Sequence, residues 1–108
     1  MAKINKEKLA KEIIDWAKRN ELGYDWAIYY NGKRYRAWKQ DFEEVNPLDY
    51  CEYFSKNLIM GMSYDGTMYE IMNYYWGIGI LDELNAILEK HGLYMEHCDY
   101  CHCEFCEA

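Results

Sequence analysis

Ten consecutive residues near the C-terminus, His97-Cys98-Asp99-Tyr100-Cys101-His102-Cys103-Glu104-Phe105-Cys106, hold six of the eight cysteine and histidine side chains of this chain. They spell C-x-x-C-x-C-x-x-C flanked by histidine. A C-x-x-C pair chelates zinc because a tight turn brings both sulfurs to one side, about 2.3 Å from the metal. His97, Cys98, Cys101, Cys103 and Cys106 are therefore candidate zinc ligands. Zinc sites built from two such pairs normally have a long spacer. Here a single residue separates them, and wrapping four sulfurs of so short a segment around one ion is cramped. Cys98 and Cys101 with His97, or with ligands from another chain, make the less crowded set. A competing reading makes residues 101–106 an edge strand, with Cys101, Cys103 and Phe105 facing the core and His102, Glu104 and Cys106 facing out. A redox role fits least: redox pairs usually open a helix, where the thiolate is stabilised, and this one follows an expected strand. The spacing suits the strand best, which makes residues 98–108 a Cys-rich terminal strand or tail.

A second group with chemical potential lies in YDWAIYY-NG-KRYRAWKQ. Asn31-Gly32 is the preferred pair for a type I′ turn, which needs φ > 0 at both positions. That turn sets Tyr30 opposite Lys33, Ile28 opposite Tyr35 and Trp26 opposite Ala37 on a mostly apolar face. The other face carries Tyr29, Arg34, Arg36 and Trp38, a basic and aromatic mixture able to grip a nucleotide by stacking plus charge. The plainer reading is an amphipathic sheet whose arginines pair with Asp25 and lie over the aromatic rings. That reading is favoured, because one two-stranded arm makes a small groove.

Charge is the third signal. The net charge of −7 is unevenly spread: residues 1–40 carry +5, while residues 41–108 carry −12. Such asymmetry shapes partners and solubility rather than fold. Its sharper reading is an acidic docking surface for a basic protein, with Asp41, Glu43, Glu44, Asp49 and Glu52 densest and Asp82, Glu83 and Glu89 next. That reading requires the carboxylates to gather into one exposed field. The alternative is a solvated surface whose acids are attracted to the basic opening segment.

The elements that must position these groups follow from period and punctuation. Asn5 caps a helix over residues 6–20 with an inward stripe of Leu9, Ile13, Trp16 and Ala17, stopped at Gly23. The hairpin spans 25–30 and 33–39. Asp41-Phe42-Glu43-Glu44-Val45 reads as a connector, and Asn46-Pro47 opens a short helix with Leu48, Cys51, Phe54 and Leu58 inward; Cys51 there is a small buried thiol. Residues 58–64 read as a strand in which Gly61 marks a bulge or a close approach. Thr67 and Glu70 form a T-x-x-E capping box, so a helix opens at Met68 and carries Tyr69, Met72 and Tyr75. A further helix runs over residues 80–91 and ends at Gly92 in a left-handed cap, followed by a strand from Leu93 to His97.

The 63–75 segment and the L-x-x-I-L-x-K-x-G-L-Y of 84–94 are similar to small uncharacterised proteins carried by bacteriophages and mobile elements. The shared pattern is strand, S-[FY]-[DE]-G, a short helix ending N-Y, a longer helix, then G-L-Y and a strand, over residues 58–98. The resemblance implies a phage-type accessory protein, a class that includes inhibitors of host defence such as anti-CRISPR proteins. It supplies no catalytic residue. The Cys-rich tail departs from the pattern, where a plain final strand is expected.

At 108 residues the chain reads as one domain. Its expected class is α+β: a small antiparallel sheet built from the hairpin, the 58–64 strand and one or two C-terminal strands, with three or four helices mainly on one face. Trp16, Trp26, Ile28, Tyr35, Phe54, Met62, Leu84, Ile87 and Leu88 are the expected core. No apolar run approaches the roughly 20 residues of a membrane span. The opening MAKINKEKLAKEI lacks a secretory apolar stretch, which points to the cytoplasm and to reduced thiols or metal ligands. The functional expectation is a non-enzymatic acidic binding protein, a phage-type inhibitor of a nucleic-acid-handling host protein by nucleic-acid mimicry. Its partner is then a basic or nucleic-acid-binding protein rather than nucleic acid itself or a membrane, and an edge strand with exposed aromatics also permits a homodimer. A nucleotide sponge built on the basic hairpin and a small zinc module are the alternatives. Without zinc, no cofactor is expected.

Overall fold

Asn5 opens the first element as its spacing predicts: its side chain accepts from the Lys8 backbone N–H at 3.0 Å, and helix α1 (Lys6–Arg19) follows. Leu9, Ala10, Ile13, Trp16 and Ala17 are buried along it. The computed structural model describes residues 4–108, so Lys3 of the basic opening segment lies outside the described residues. Strands β1 (Trp26–Tyr30) and β2 (Lys33–Arg36) form the hairpin in the expected register, with Ile28 opposite Tyr35 and Tyr29 opposite Arg34. Asn31 and Gly32 take φ of 50° and 69°, the left-handed pair a type I′ turn demands.

The next segment departs from expectation. Asp41-Phe42-Glu43-Glu44 is a strand, β3 (Asp41–Glu44), paired with β2 so that Asp41 faces Arg36 and Glu43 faces Arg34. Cross-strand charge matching explains why an acidic stretch joins a sheet here. The helix expected after Asn46 is only a 3-10 turn, Pro47–Asp49. Asn46 still caps it, accepting from Leu48 N–H at 3.1 Å. Leu48 stays exposed while Cys51 and Phe54 turn inward onto the sheet, so no helical stripe forms. The segment is anchored by Ser55 N–H, which donates to Glu104 Oε1 at 2.9 Å. Gly61 makes this possible: a Cβ there would stand 2.7 Å from the Phe54 ring. The glycine is thus the close approach foreseen from sequence.

Strand β4 (Met60–Tyr64) leads into α2 (Gly66–Met72). The T-x-x-E capping box does not form. The helix begins at Gly66, with φ of 57°, because Asp25 packs against it and its backbone carbonyl accepts the Asp65 N–H at 2.8 Å. Glu70 is left to accept from Trp76 Nε1. Helix α2 stops at Met72 and Tyr74 adopts φ of 68°, so Tyr75 lies outside it. Helix α3 (Gly79–Lys90) buries Leu81, Leu84 and Leu88, and Gly92 caps its end at φ of 73°. Strands β5 (Leu93–Asp99) and β6 (His102–Glu107) complete the chain.

The result is α+β: a six-stranded antiparallel sheet in the order β3-β2-β1-β4-β6-β5, with three α-helices against one face. Two strands more than the minimum expected come from β3 and from separate pairing of β5 and β6. The terminal strand is not an edge: β6 sits between β4 and β5. Its alternation holds for Cys103 and Phe105, buried toward the helices. Cys101 instead stays in the turn before the strand, next to His102, and Glu104, on the other face, is covered by the 45–58 segment rather than open to solvent. Under the helices lie Trp16, Trp26, Ile28, Tyr35, Met62, Leu84 and Leu88 of the expected core, with Ile87 half-buried at its margin. Phe54 belongs elsewhere. It forms a small second cluster with Ala27, Tyr29 and Cys51 on the opposite sheet face. Among the described residues no helix is long and apolar enough to cross a membrane.

Candidate functional site

Strand alternation sends Arg34, Arg36, Tyr29, Ser63, His102 and Glu104 to the sheet face away from the helices. At its β3–β2 end both arginines are engaged. Arg36 forms a two-pronged pair with Asp41, both contacts at 2.8 Å, and reaches Glu43 at 2.9 Å. Arg34 donates to Glu43 and lies between two rings, its guanidinium carbon 4.2 Å from the Tyr50 centroid and 5.4 Å from that of Trp38. Tyr29 is buried beneath Tyr50 and Phe54, its hydroxyl 3.0 Å from Ser63 Oγ. Tyr29, Arg34 and Trp38 line a groove of about 530 Å³ that extends to His102, whereas Arg36 lies outside it. The groove also holds the carboxylates of Asp25 and Asp65, which oppose an anionic ligand.

The nominated acids do not gather into one field. Asp41 and Glu43 are matched by Arg36 and Arg34, and Glu83 is held by Arg19 at 3.1 Å. Glu44 is exposed at the end of β3 beside Lys33, Asp49 and Glu52 are exposed on the segment that crosses the second sheet face, and Asp82 and Glu89 are exposed on α3. None of these five forms an ion pair among the described residues. The guanidinium of Arg36 holds the Asp41 carboxyl below its ordinary 3.8.

The thiols are likewise redistributed. Of the five tail residues nominated as ligands, Cys103 is buried under the helices, Cys106 sits by Glu96 with Sγ 3.8 Å from Oε2, and His97 is exposed beside Tyr74. Cys98 and Cys101 are half-buried. A different set converges: one donor atom each from Cys51, Asp99 and His102, all within 4.8 Å of one another. Asp99 closes β5 and His102 opens β6, so their D-x-x-H spacing across the turn was a signal available in the sequence. His102 Nδ1 lies 2.9 Å from Asp99 Oδ1, and the Cys101 backbone N–H donates to the same oxygen at 2.9 Å. Burial by itself would raise the Asp99 carboxyl. The hydrogen bonds from His102 and from Cys101 outweigh it and leave the group below its ordinary 3.8. Cys51 carried no such signal, because its place depends on how residues 45–58 cross the sheet. Its thiol is pushed up by burial, and that of Cys98 is pushed up to about 12, by burial and then by the adjoining Cys51. Thiols so held are protonated near neutrality, which argues against a nucleophilic or redox role without a metal.

A further surface feature, the exposure of aromatic side chains at a helix–helix corner, had no signal in the sequence pattern. Tyr74, Tyr75, Trp76 and Ile78, at the corner between α2 and α3, are each 55–67% exposed. Tyr100 is exposed as well, and its carbonyl accepts from the Asn73 side chain at 2.9 Å, which brings it to the same corner. The left-handed turns at Tyr74 and Gly77 expel these side chains from the helical stripe. Residues 57–89, which include the corner, contain no lysine or arginine. Comparison with family models, curated proteins and solved structures finds no match for the chain.

Proposed function

We propose that this protein is a non-enzymatic binding protein that docks a basic protein partner through the aromatic corner of residues 74–78 and the acids around it. The observation that carries the reading is the contiguous exposure of Tyr74, Tyr75, Trp76 and Ile78 in a stretch with no positive side chain. Tyrosine and tryptophan are the residues that most often anchor interfaces, because they bury large areas at low entropic cost. A contiguous exposed apolar patch of this kind is uncommon on a monomer without a partner. Glu70 and Asp82 flank the corner and supply the sign of the field. That field repels nucleic acid and anionic lipid, and it attracts a cationic groove of the kind that nucleic-acid-handling proteins carry.

The nucleotide-sponge reading has less support. Glu43 and two aromatic rings already occupy Arg34, and two carboxylates share the groove. The inhibitor reading, with a phage-type or defence-related setting, is the finer form of the proposal.

The test uses immobilised protein and its Tyr75→Ala/Trp76→Ala double variant against purified nucleic-acid-binding proteins and acidic proteins of similar size. Basic members should be retained at low salt, released as salt rises, and lost on the double variant. Equal retention of acidic and basic proteins, or retention undiminished by the double variant, would refute the reading.

A further inference from the structure

The D-x-x-H turn and the segment carrying Cys51 meet on the sheet face away from the helices, and the docking reading gives no role to Cys51, Asp99 or His102. Cys51 comes from one stretch of chain and Asp99 and His102 from another nearly fifty residues later, yet their donor atoms lie within 4.8 Å of one another. Zinc bonds of about 2.0–2.3 Å at tetrahedral angles place donor atoms roughly 3.3–3.8 Å apart. The cluster therefore closes on an ion with small side-chain shifts. A fourth donor is at hand, since the Cys98 thiol adjoins that of Cys51.

The surroundings favour a cation. Glu96 and Glu104 stand directly opposite each other on β5 and β6, and residues 91–108 contain no lysine or arginine. The segment that delivers Cys51 also lacks internal support. Between β3 and β4 its one regular element is the 3-10 turn, and it rests on a cluster of four buried residues. Small modules with so little core commonly use a metal as a staple.

We propose that Cys51, Asp99 and His102, with Cys98 at the fourth corner, form a zinc-binding site that pins the 45–58 segment to the sheet. Binding is an exchange of protons for metal: the Cys51 and Cys98 thiols each release one proton to solvent, and two thiolates, a carboxylate and an imidazole coordinate Zn²⁺. No oxidation is involved. Affinity accordingly rises with pH as the protons become easier to displace.

The probe is Co²⁺ titrated into untagged, reduced, full-length protein, followed by absorbance. One equivalent per chain should produce a sulfur-to-cobalt band in the near ultraviolet and the visible bands of tetrahedral cobalt, and Zn²⁺ should bleach both. Cys51→Ser and His102→Ala should each weaken binding by about tenfold or more, whereas His97→Ala and Cys106→Ser should leave it unchanged. Circular dichroism of the four variants in the absence of metal separates loss of a ligand from loss of the fold. Absence of a sulfur-to-cobalt band would overturn the proposal. So would a band lost on Cys106→Ser or His97→Ala and kept on Cys51→Ser, since that pattern would place the ion in the tail alone.

Discussion

At the β3–β2 end of the sheet face opposite the helices, Arg34 and Arg36 each meet a carboxylate of β3. At the β6–β5 end, Asp99, Glu96 and Glu104 meet thiols, an imidazole and one another. The first end is electrostatically closed and the second is open. The difference lies in which strands were brought together. The β2 cations fell beside β3 acids only a turn away, so each pair formed with little loop-closure cost. The C-terminal strands and the β4 strand beside them hold no lysine or arginine of their own. Charge left over by such pairing is available to something outside the chain, whether a metal or a basic partner.

The strongest way to break the comparison is to remove what both ends share, the Phe54 ring that lies over Tyr29 at 5.6 Å and beside His102 at 6.1 Å. Phe54→Ala should cost about 3–5 kcal/mol of stability and release the 45–58 segment from both ends. Urea unfolding measures the cost, and proteolysis within 45–58 locates it. A loss below about 1 kcal/mol would mean the ring is not the common support. Gly61→Ala comes next. Its Cβ would stand 2.7 Å from the Phe54 ring and 3.2 Å from the Cys103 carbonyl, so a loss of about 1–3 kcal/mol is expected. Adding Phe54→Ala to it should cost clearly less than the two single losses together, because the ring that clashes is then gone.

Arg34→Ala sharpens the comparison by opening the closed end. It removes one of the two partners of Glu43 and should cost about 1 kcal/mol, screened by solvent. It should also leave the β3 end visibly more acidic, read as stronger retention on an anion-exchange column.

Acid titration tests whether both ends depend on ionised carboxylates. Asp41 and Asp99 are each held below the ordinary 3.8 in the folded chain. Each therefore stabilises fully above that value, and the contribution disappears as pH falls through the lower folded-state value. Asp41→Asn and Asp99→Asn should each flatten the fall in urea midpoint on acidification. A variant whose acid limb keeps the parent's slope would show that its carboxylate contributes nothing there. The smallest expected effect is on Trp76→Ala, which should change stability by no more than about 0.5 kcal/mol while weakening partner binding. A large stability loss would place the indole in the fold rather than at an interface.

Much of this molecule is decided by short-range pattern. Asn5, the Leu9–Ile13–Trp16 stripe, Asn31-Gly32, the leucines of α3 and Gly92 act within a few residues of themselves, so α1, the hairpin, α3 and its cap are legible in the chain alone. The alternation that buries Cys103 and Phe105 and turns His102 outward is legible for the same reason. What tertiary structure decided was partnership. The acids of 41–44 became a strand because Arg34 and Arg36 lay opposite, and the capping box at Thr67 yielded to Asp25. Cys51 left its expected helix to join Asp99 and His102. Each of these depends on a neighbour supplied by another element, and no local period records which neighbour that will be.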